Sequence, residues 1–391
     1  MLQSGQYFAQ EAVISPPFVT TKSYFVNSSE CSLFKIMKSS FEHAIGGMSW
    51  TEMLRGGGGS MEDSTSAALS TDPNNSSKKT RVMNPDNITQ EELIKIKILG
   101  EGTFGRVYLV EAKRSAYASH YALKVQQKHV IDELKQKKNI MNEKLIMEAL
   151  DHPFILRLEA CFQTKDCLNM MLEIVTGGEL FDLLADRAPN GVLDYPDAAF
   201  YTACVVAAFN HFWEKDIIYR DLKPENLMLD SKGYIKVVDY GFAKKLHGKM
   251  THTCCGTLEY FAPELVKGKG YGKPVDIWGI GILLFEMLVG YTPFNADSQG
   301  AICKGIVRKK LEVPRDVTDP GARSVIRKIL EKDPVKRFGC GANGPVEIMQ
   351  HEWFKNFNWD DLEKRKMKAP ELGIPKLKKG EGKRDLHKEC G

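Results

Sequence analysis

The sequence predicts an α+β fold built from two unlike lobes. Three observations carry that prediction. Strand-like runs come first, ending near Val125, and long apolar helical runs come later, from Ala198 onward. A chain of 391 residues is long enough for one large two-lobed domain. A composition of 43% hydrophobic and 27% charged residues is that of an ordinary globular protein.

The elements follow in order. Residues 1–93 form a low-complexity segment, rich in Ser, Thr, Asn and Gly, that reads as disordered, most clearly from Ser64 to Lys79. Within it, Phe34 to Leu54 has the amphipathic character of a short helix. Gly56 to Ser60 has linker composition and runs directly into Met61, so the product starts at Met1 or at Met61, or the segment is a joining scar. Ile94, Ile96 and Ile98 alternate with Lys95 and Lys97, which predicts the first strand. Val107 to Val110 and Tyr121 to Val125 predict the next two. A helix is expected from Leu134 to Leu150. The runs Ala198 to Phe212 and Val275 to Leu288 are long and apolar enough to be central helices of a second lobe.

Bulk properties exclude several classes. A net charge of +4 argues against a nucleic-acid partner. No apolar run is long enough for a membrane span. No basic-then-apolar leader opens the chain, and Leu2 after Met1 gives no myristoylation signal. Nine cysteines without metal or disulfide spacing fit reduced thiols and a cytoplasmic location.

The chemistry concentrates in Tyr219-Arg220-Asp221-Leu222-Lys223-Pro224-Glu225-Asn226. This run sets a carboxylate (Asp221), an ammonium (Lys223) and a carboxamide (Asn226) in one short loop. A base for a hydroxyl, a cation for a phosphate and an oxygen ligand for a metal together suit phosphoryl transfer. Upstream, Gly100-Glu101-Gly102-Thr103-Phe104-Gly105-Arg106-Val107 follows one strand and leads into another. Dinucleotide folds share the glycine spacing, but there it opens a helix, so here it predicts a strand-turn-strand flap over a nucleotide. Lys124 sits on the next strand, where it can reach phosphates if a carboxylate fixes it, and Glu143 is the candidate. Asp239 follows an apolar strand and joins Asn226 as a candidate Mg²⁺ ligand pair. Glu264 is expected to pair with Arg337, because a buried charge must be compensated. Asp276 is expected to accept hydrogen bonds from the catalytic-loop backbone.

These motifs, in this order, resemble the eukaryotic protein-kinase family over residues 94–354. Tyr219, the run Gly241 to Lys244, and Cys255-Gly256-Thr257 resemble its cyclic-nucleotide-regulated branch. Phe200 to Val206, Val238-Asp239 with Lys244-Lys245, and Phe357-Asn358-Trp359 are most similar to the cyclic-GMP-dependent type, with the cyclic-AMP-dependent catalytic subunit as runner-up.

The resemblance implies the bilobal protein-kinase fold, with a small antiparallel β-sheet lobe carrying one main helix and a larger, mainly helical lobe. It implies ATP and Mg²⁺ as cofactors and Ser/Thr hydroxyls of proteins as acceptors. Asp221 would accept the hydroxyl proton and Lys223 would stabilise the γ-phosphoryl, with Lys124 and Glu143 completing the catalytic set. The nucleotide would be lined by Leu99, Gly100, Glu101, Gly102, Thr103, Phe104, Gly105, Arg106, Val107, Ala122, Lys124, Glu173, Val175, Glu179 and Met228, beside a gatekeeper at Leu172. Asn226 and Asp239 would bind metal. Thr253 matches an activation-loop phosphosite, with Arg220 and Lys244 as cationic partners and Asn139 where a His often helps. Glu179, Glu225 and Glu286 would receive basic residues ahead of the target, and Thr257 would dock its hydroxyl. Lys78-Lys79-Thr80 reads as a solvated linker.

The chain departs from the pattern in places. Tyr240 stands where Phe is expected, so a buried hydroxyl there needs a partner. His252 and Cys254 replace an aromatic and a large apolar residue around Thr253, and Leu258 stands where proline is usual. The first 90 residues hold no recognisable cyclic-nucleotide-binding domain, so the implied partner is a regulatory subunit or a missing cyclic-nucleotide-binding region. Residues 355–391 read as a short basic tail, without the aromatic and hydrophobic segments expected there.

Overall fold

The computed structural model describes residues 92–112 and 120–372. The low-complexity segment up to residue 91, its Phe34–Leu54 helix, its linker, the Lys78-Lys79-Thr80 run and the end of the basic tail lie outside the described residues.

The small lobe is a five-stranded antiparallel sheet in the order β1-β2-β3-β5-β4. Its strands are β1 (Leu93–Gly102), β2 (Gly105–Ala112), β3 (His120–Gln127), β4 (Leu158–Gln163) and β5 (Cys167–Leu172). Period-two alternation sorts its side chains. Tyr121 and Leu123 join Leu93, Val110, Ala160 and Met171 in a cluster of their own, whereas Ala122 belongs to the main core. Lys124 pairs in register with Val107 on one side and Met170 on the other. The isoleucine alternation in β1 marks a strand but not its buried face. Ile94 and Ile98 are exposed and Leu93 carries the packing, because two register shifts in this edge strand break the alternation.

The helix expected from Leu134 to Leu150 is present as α2 (Lys137–Ala149), and a short helix that the sequence did not signal, α1 (Lys128–Glu133), precedes it. Between them Lys135 takes a positive φ of 54°, which ends the first helix and lets the second turn its Ile140, Glu143, Ile146 and Met147 face inward.

The large lobe is built on α3 (Tyr195–Glu214) and α4 (Pro274–Val289). Asp194 caps α3 by accepting from the Asp197 N–H at 2.9 Å. Twelve residues of each helix are buried, which is why both read as apolar on every face. Two shorter helices, α5 (Gln299–Arg308) and α6 (Pro320–Ile329), are capped by Ser298 and Asp319. Two small ribbons position the chemistry: β6 (Ile217–Ile218) pairs with β9 (Lys244–Lys245), and β7 (Leu227–Leu229) pairs with β8 (Ile235–Val237). The polar loop lies between β6 and β7, and Asp239 follows β8.

The expected Glu264–Arg337 pair is present and two-pronged, at 2.7 and 2.9 Å. Arg337 also donates to the Pro274 and Glu331 carbonyls and lies 5.1 Å from the Trp278 ring, at 1% exposure. Residues 355–372 run along the large lobe, where Leu362 is buried, Arg365 pairs with Asp230, and the Tyr234 hydroxyl donates to the Met367 carbonyl.

Candidate active site

The cleft receives its first charge from β3. Lys124 Nζ lies 2.6 Å from Glu143 Oε1, which reaches it from α2. Glu143 is 4% exposed, so burial holds the carboxylate still and the ammonium is fixed in turn. Above them, β1 and β2 turn over at Thr103-Phe104, with Glu101 and Arg106 paired at 2.8 Å. The glycines of this flap have different reasons. A Cβ on Gly105 would sit 2.0 Å from the Val125 carbonyl oxygen, so β3 itself demands glycine there. A Cβ on Gly100 would meet no atom within 4 Å, so protein packing does not explain that glycine.

Asp276, rooted in α4, shapes the polar loop. Its carboxylate accepts from the Tyr219 N–H at 2.7 Å and the Arg220 N–H at 2.9 Å, as expected. Burial pushes its carboxyl up to about 6, against the pull of those two donors. Arg220 takes a φ of 72°, and Gly256 crosses it so closely that a Cβ would lie 2.4 Å from the Arg220 carbonyl oxygen. Tyr219 is fully buried, stacks on Phe212 at 5.7 Å and donates its hydroxyl to the Val238 carbonyl. Here tyrosine ties the loop to the strand that delivers Asp239.

Asp221 is the hub. Its Oδ1 accepts from the Thr257 hydroxyl at 3.0 Å, and its Oδ2 accepts from Asn226 Nδ2 at 2.9 Å, with Lys223 Nζ 3.4 Å away. Burial raises its carboxyl above the ordinary range, opposed by Lys223 and by the Asn226 and Thr257 hydrogen bonds. Asn226 gives its amide hydrogens to Asp221, which leaves its carbonyl oxygen as the group to meet a cation. Asp239 is exposed at a φ of 58°, with Oδ1 accepting from the Gly241 N–H at 3.0 Å. Two oxygens of this hardness suit Mg²⁺, which keeps waters and phosphate oxygens as its other ligands.

Tyr240 resolves its own question. Its buried hydroxyl donates to the Val237 carbonyl at 2.6 Å and accepts from the Leu156 N–H at 3.2 Å. At the strand between the lobes, the Glu173 N–H is bound to the Arg157 carbonyl. The Glu173 carbonyl and the Val175 N–H have no protein hydrogen bond among the described residues. Leu99 is exposed at the cleft edge and Ala122 is buried, with Val107 and Met228 half-buried.

An acidic face lies beside Asp221. The Glu179 carboxyl is raised by burial and by the charges of Asp182 and Glu225. That of Glu286 is raised by burial and by Glu225 and Glu259, against a hydrogen bond from the Tyr260 hydroxyl.

Thr253 is exposed, and Lys244 Nζ contacts Thr251 Oγ1 at 3.1 Å rather than Thr253. Arg220 donates to the Phe242 carbonyl at 2.7 Å and to the Tyr271 hydroxyl at 3.3 Å. Asn139 donates to Gln136, the residue just before its helix.

Sequence reasoning missed three contacts. Asn142 Nδ2 donates to the Ala243 carbonyl at 2.7 Å and ties α2 to the segment after Asp239. Lys236, buried in β8, lies 2.6 Å from Glu173. Tyr271 bonds both Arg220 and the Thr253 carbonyl. The residues concerned are 101, 63 and 18 or more positions apart, so nothing in local pattern could signal them.

Comparison with known proteins gives the family. A family model described as a protein kinase domain matches residues 93–354. The human cAMP-dependent protein kinase catalytic subunit PRKX is 41% identical over 279 residues, covering 71% of this chain and 75% of the relative. The cAMP-dependent protein kinase catalytic subunit of Dictyostelium discoideum is 39% identical over 287 residues, 73% of this chain and 43% of the relative. Human cGMP-dependent protein kinase 2 is 36% identical over 390 residues, 94% of this chain and 50% of the relative. The chain thus spans about half or less of the length of two of these relatives.

Proposed function

We propose, on the premise that this chain belongs to the protein kinase family as a protein serine/threonine kinase, that it moves the γ-phosphoryl group of Mg-ATP onto Ser and Thr hydroxyls preceded by basic residues. The observation that carries this reading is the division of the Asp221 carboxylate. One oxygen faces the Thr257 hydroxyl and the other faces Asn226 and Lys223.

An acceptor hydroxyl beside Thr257 would deliver its proton to Asp221, whose raised affinity for protons suits a base. The Lys223 ammonium would follow the charge on the transferring group. Lys124, held by Glu143, would grip the nucleotide phosphates beneath the flap, and the open space at Gly100 supports a phosphate there. Asn226 and Asp239 would hold Mg²⁺, which when bound neutralises phosphate charge. The Glu173 carbonyl and Val175 N–H are the free backbone groups that would meet adenine, with Leu99, Val107, Ala122 and Met228 around the ring. Glu179, Glu225 and Glu286 would select Arg or Lys ahead of the acceptor. Thr253, exposed and linked to Arg220 through the Tyr271 hydroxyl, is the proposed phosphosite.

Within the branch we take the cyclic-GMP-dependent type, supported by similarity along 94% of the chain. The higher identity to a cAMP-dependent catalytic subunit, 41% over 71% of the chain, favours the second reading. The deciding test of the activity is Mg²⁺- and ATP-dependent labelling of a peptide with Arg before Ser. Asp221→Asn is expected to lower kcat by about a thousandfold. Labelling by the wild type no greater than by this variant would overturn the proposal.

A further inference from the structure

Lys236 is an ammonium where packing alone would take an aliphatic side chain. It is the middle residue of β8, between the fully buried Ile235 and Val237, and is itself 5% exposed. Its Nζ reaches two segments at the join between the lobes. One is Glu173, the residue after β5, whose Oε1 lies 2.6 Å away. The other is the chain ahead of β4, where the Ile155 carbonyl accepts at 3.3 Å. A buried ion pair gives little net stability over an apolar pair of the same size. Position is what such a pair can supply instead.

Glu173 is clasped twice by one residue. Its N–H donates to the Arg157 carbonyl at 3.1 Å, and its Oε1 accepts from the Arg157 N–H at 2.8 Å as well as from Lys236. The carboxylate thus bridges β8 and the chain entering β4, and residue 173 is held both at its backbone nitrogen and through its side chain. Val175, the other backbone group proposed for adenine, is two residues on. The same strand serves the rest of the nucleotide. Lys236 pairs in register with Met228, proposed for the base pocket, and the chain leaving β8 carries Asp239, proposed for the metal. Base and metal positions are therefore referred to one three-residue strand.

We infer that Lys236 is a positioning residue for the base: acting through Glu173, it sets the Glu173 carbonyl and the Val175 N–H where they meet the amino group and ring nitrogen of adenine, and so governs base selection rather than phosphate grip. This rests on the nucleotide reading of the cleft. Lys124 and Glu143 form a separate ion pair on β3 and α2, so loss of Lys236 leaves the phosphate end in place.

The test is calorimetric binding of two nucleotides, each with Mg²⁺, to the wild type, Lys236→Met and Glu173→Gln. One is ATP. The other is purine riboside triphosphate, which keeps the phosphates and the ring and lacks the amino group. The wild type is expected to prefer ATP about thirtyfold, because the second nucleotide leaves a carbonyl unpaired. Lys236→Met is expected to weaken ATP about tenfold and purine riboside triphosphate less than about twofold, so the preference falls to about sixfold or less. A merely structural role would weaken both nucleotides alike and leave the ratio where it was. An unchanged ratio in Lys236→Met overturns the inference, as does a wild type that binds the two nucleotides equally. Should Lys236→Met not fold, Glu173→Gln decides, since it keeps the side-chain length and removes the charge. A ratio lowered about threefold or more then supports the inference, and an unchanged ratio overturns it. Labelling of a basic peptide is scored separately. A wild type that prefers ATP as expected yet labels no better than Asp221→Asn sinks the kinase reading and leaves the role of Lys236 standing. A wild type that binds neither nucleotide overturns both.

Discussion

Lys124–Glu143 in the small lobe and Glu264–Arg337 in the large lobe are ion pairs of nearly equal length, 2.6 and 2.7 Å, in opposite settings. The lysine side chain keeps 28% of its surface and has one hydrogen-bond partner among the described residues, which leaves N–H donors unused. The arginine side chain has no exposed surface and makes four hydrogen bonds, two of them to backbone carbonyls. The first pair holds a charge ready for something else. The second leaves nothing over and joins the segment after Pro263 to the end of the lobe. Burial and the count of engaged donors, not the length of the contact, separate a working charge from a structural one.

Substitution can break this contrast, and the largest effect is expected on the structural side. Arg337→Leu leaves Glu264 and two carbonyls without their donor and should cost about 3–5 kcal/mol, read as a fall in denaturant midpoint. Lys124→Met should lower kcat/KM about a hundredfold while shifting the midpoint far less. Adding Glu143→Leu to it should restore stability and leave the activity low. If Lys124→Met unfolds the chain as Arg337→Leu does, the contrast is wrong.

The acid side of the pH profile sharpens it further. As the proposed base Asp221 would work deprotonated, and burial raises its pKa, so kcat should fall with falling pH earlier than an ordinary carboxylate allows. Stability should move the other way through Asp276. Its folded pKa of about 6 lies above its unfolded value of about 3.9, so the folded chain binds more protons between them and gains stability as pH falls across that window. Chemical denaturation at several pH values, with Asp276→Asn as control, measures the sign. The smallest effect is expected at Tyr240→Phe, about 1 kcal/mol or less, with kcat unchanged within about twofold, because Leu156 N–H also reaches the Val237 carbonyl.

Much of the site could be read before the fold was known. Asp221, Lys223 and Asn226 are close in sequence, so their meeting needed only a loop. The Glu264–Arg337 contact followed from the rule that buried charges find partners. What could not be read depends on how distant segments stack. Asn142 stands next to Glu143 with nothing to mark it as the tie to Ala243. The short α1 ahead of Leu134 went unread because six residues carry too little periodicity to mark a helix. The isoleucines of β1 misled about burial because an edge strand with register shifts need not keep one face inward.

Arg220 and Asp239 both hold positive φ angles, 72° and 58°, which side chains other than glycine adopt at a cost of roughly 1–2 kcal/mol. The active cleft therefore sits on two positions where heat resistance and chemistry pull in opposite directions. A library of this chain screened for melting temperature alone has an easy step at each, toward glycine or asparagine, and each step removes the charge that the cleft was built to place. Thermostable variants should be sought elsewhere, with phosphoryl transfer scored in the same round.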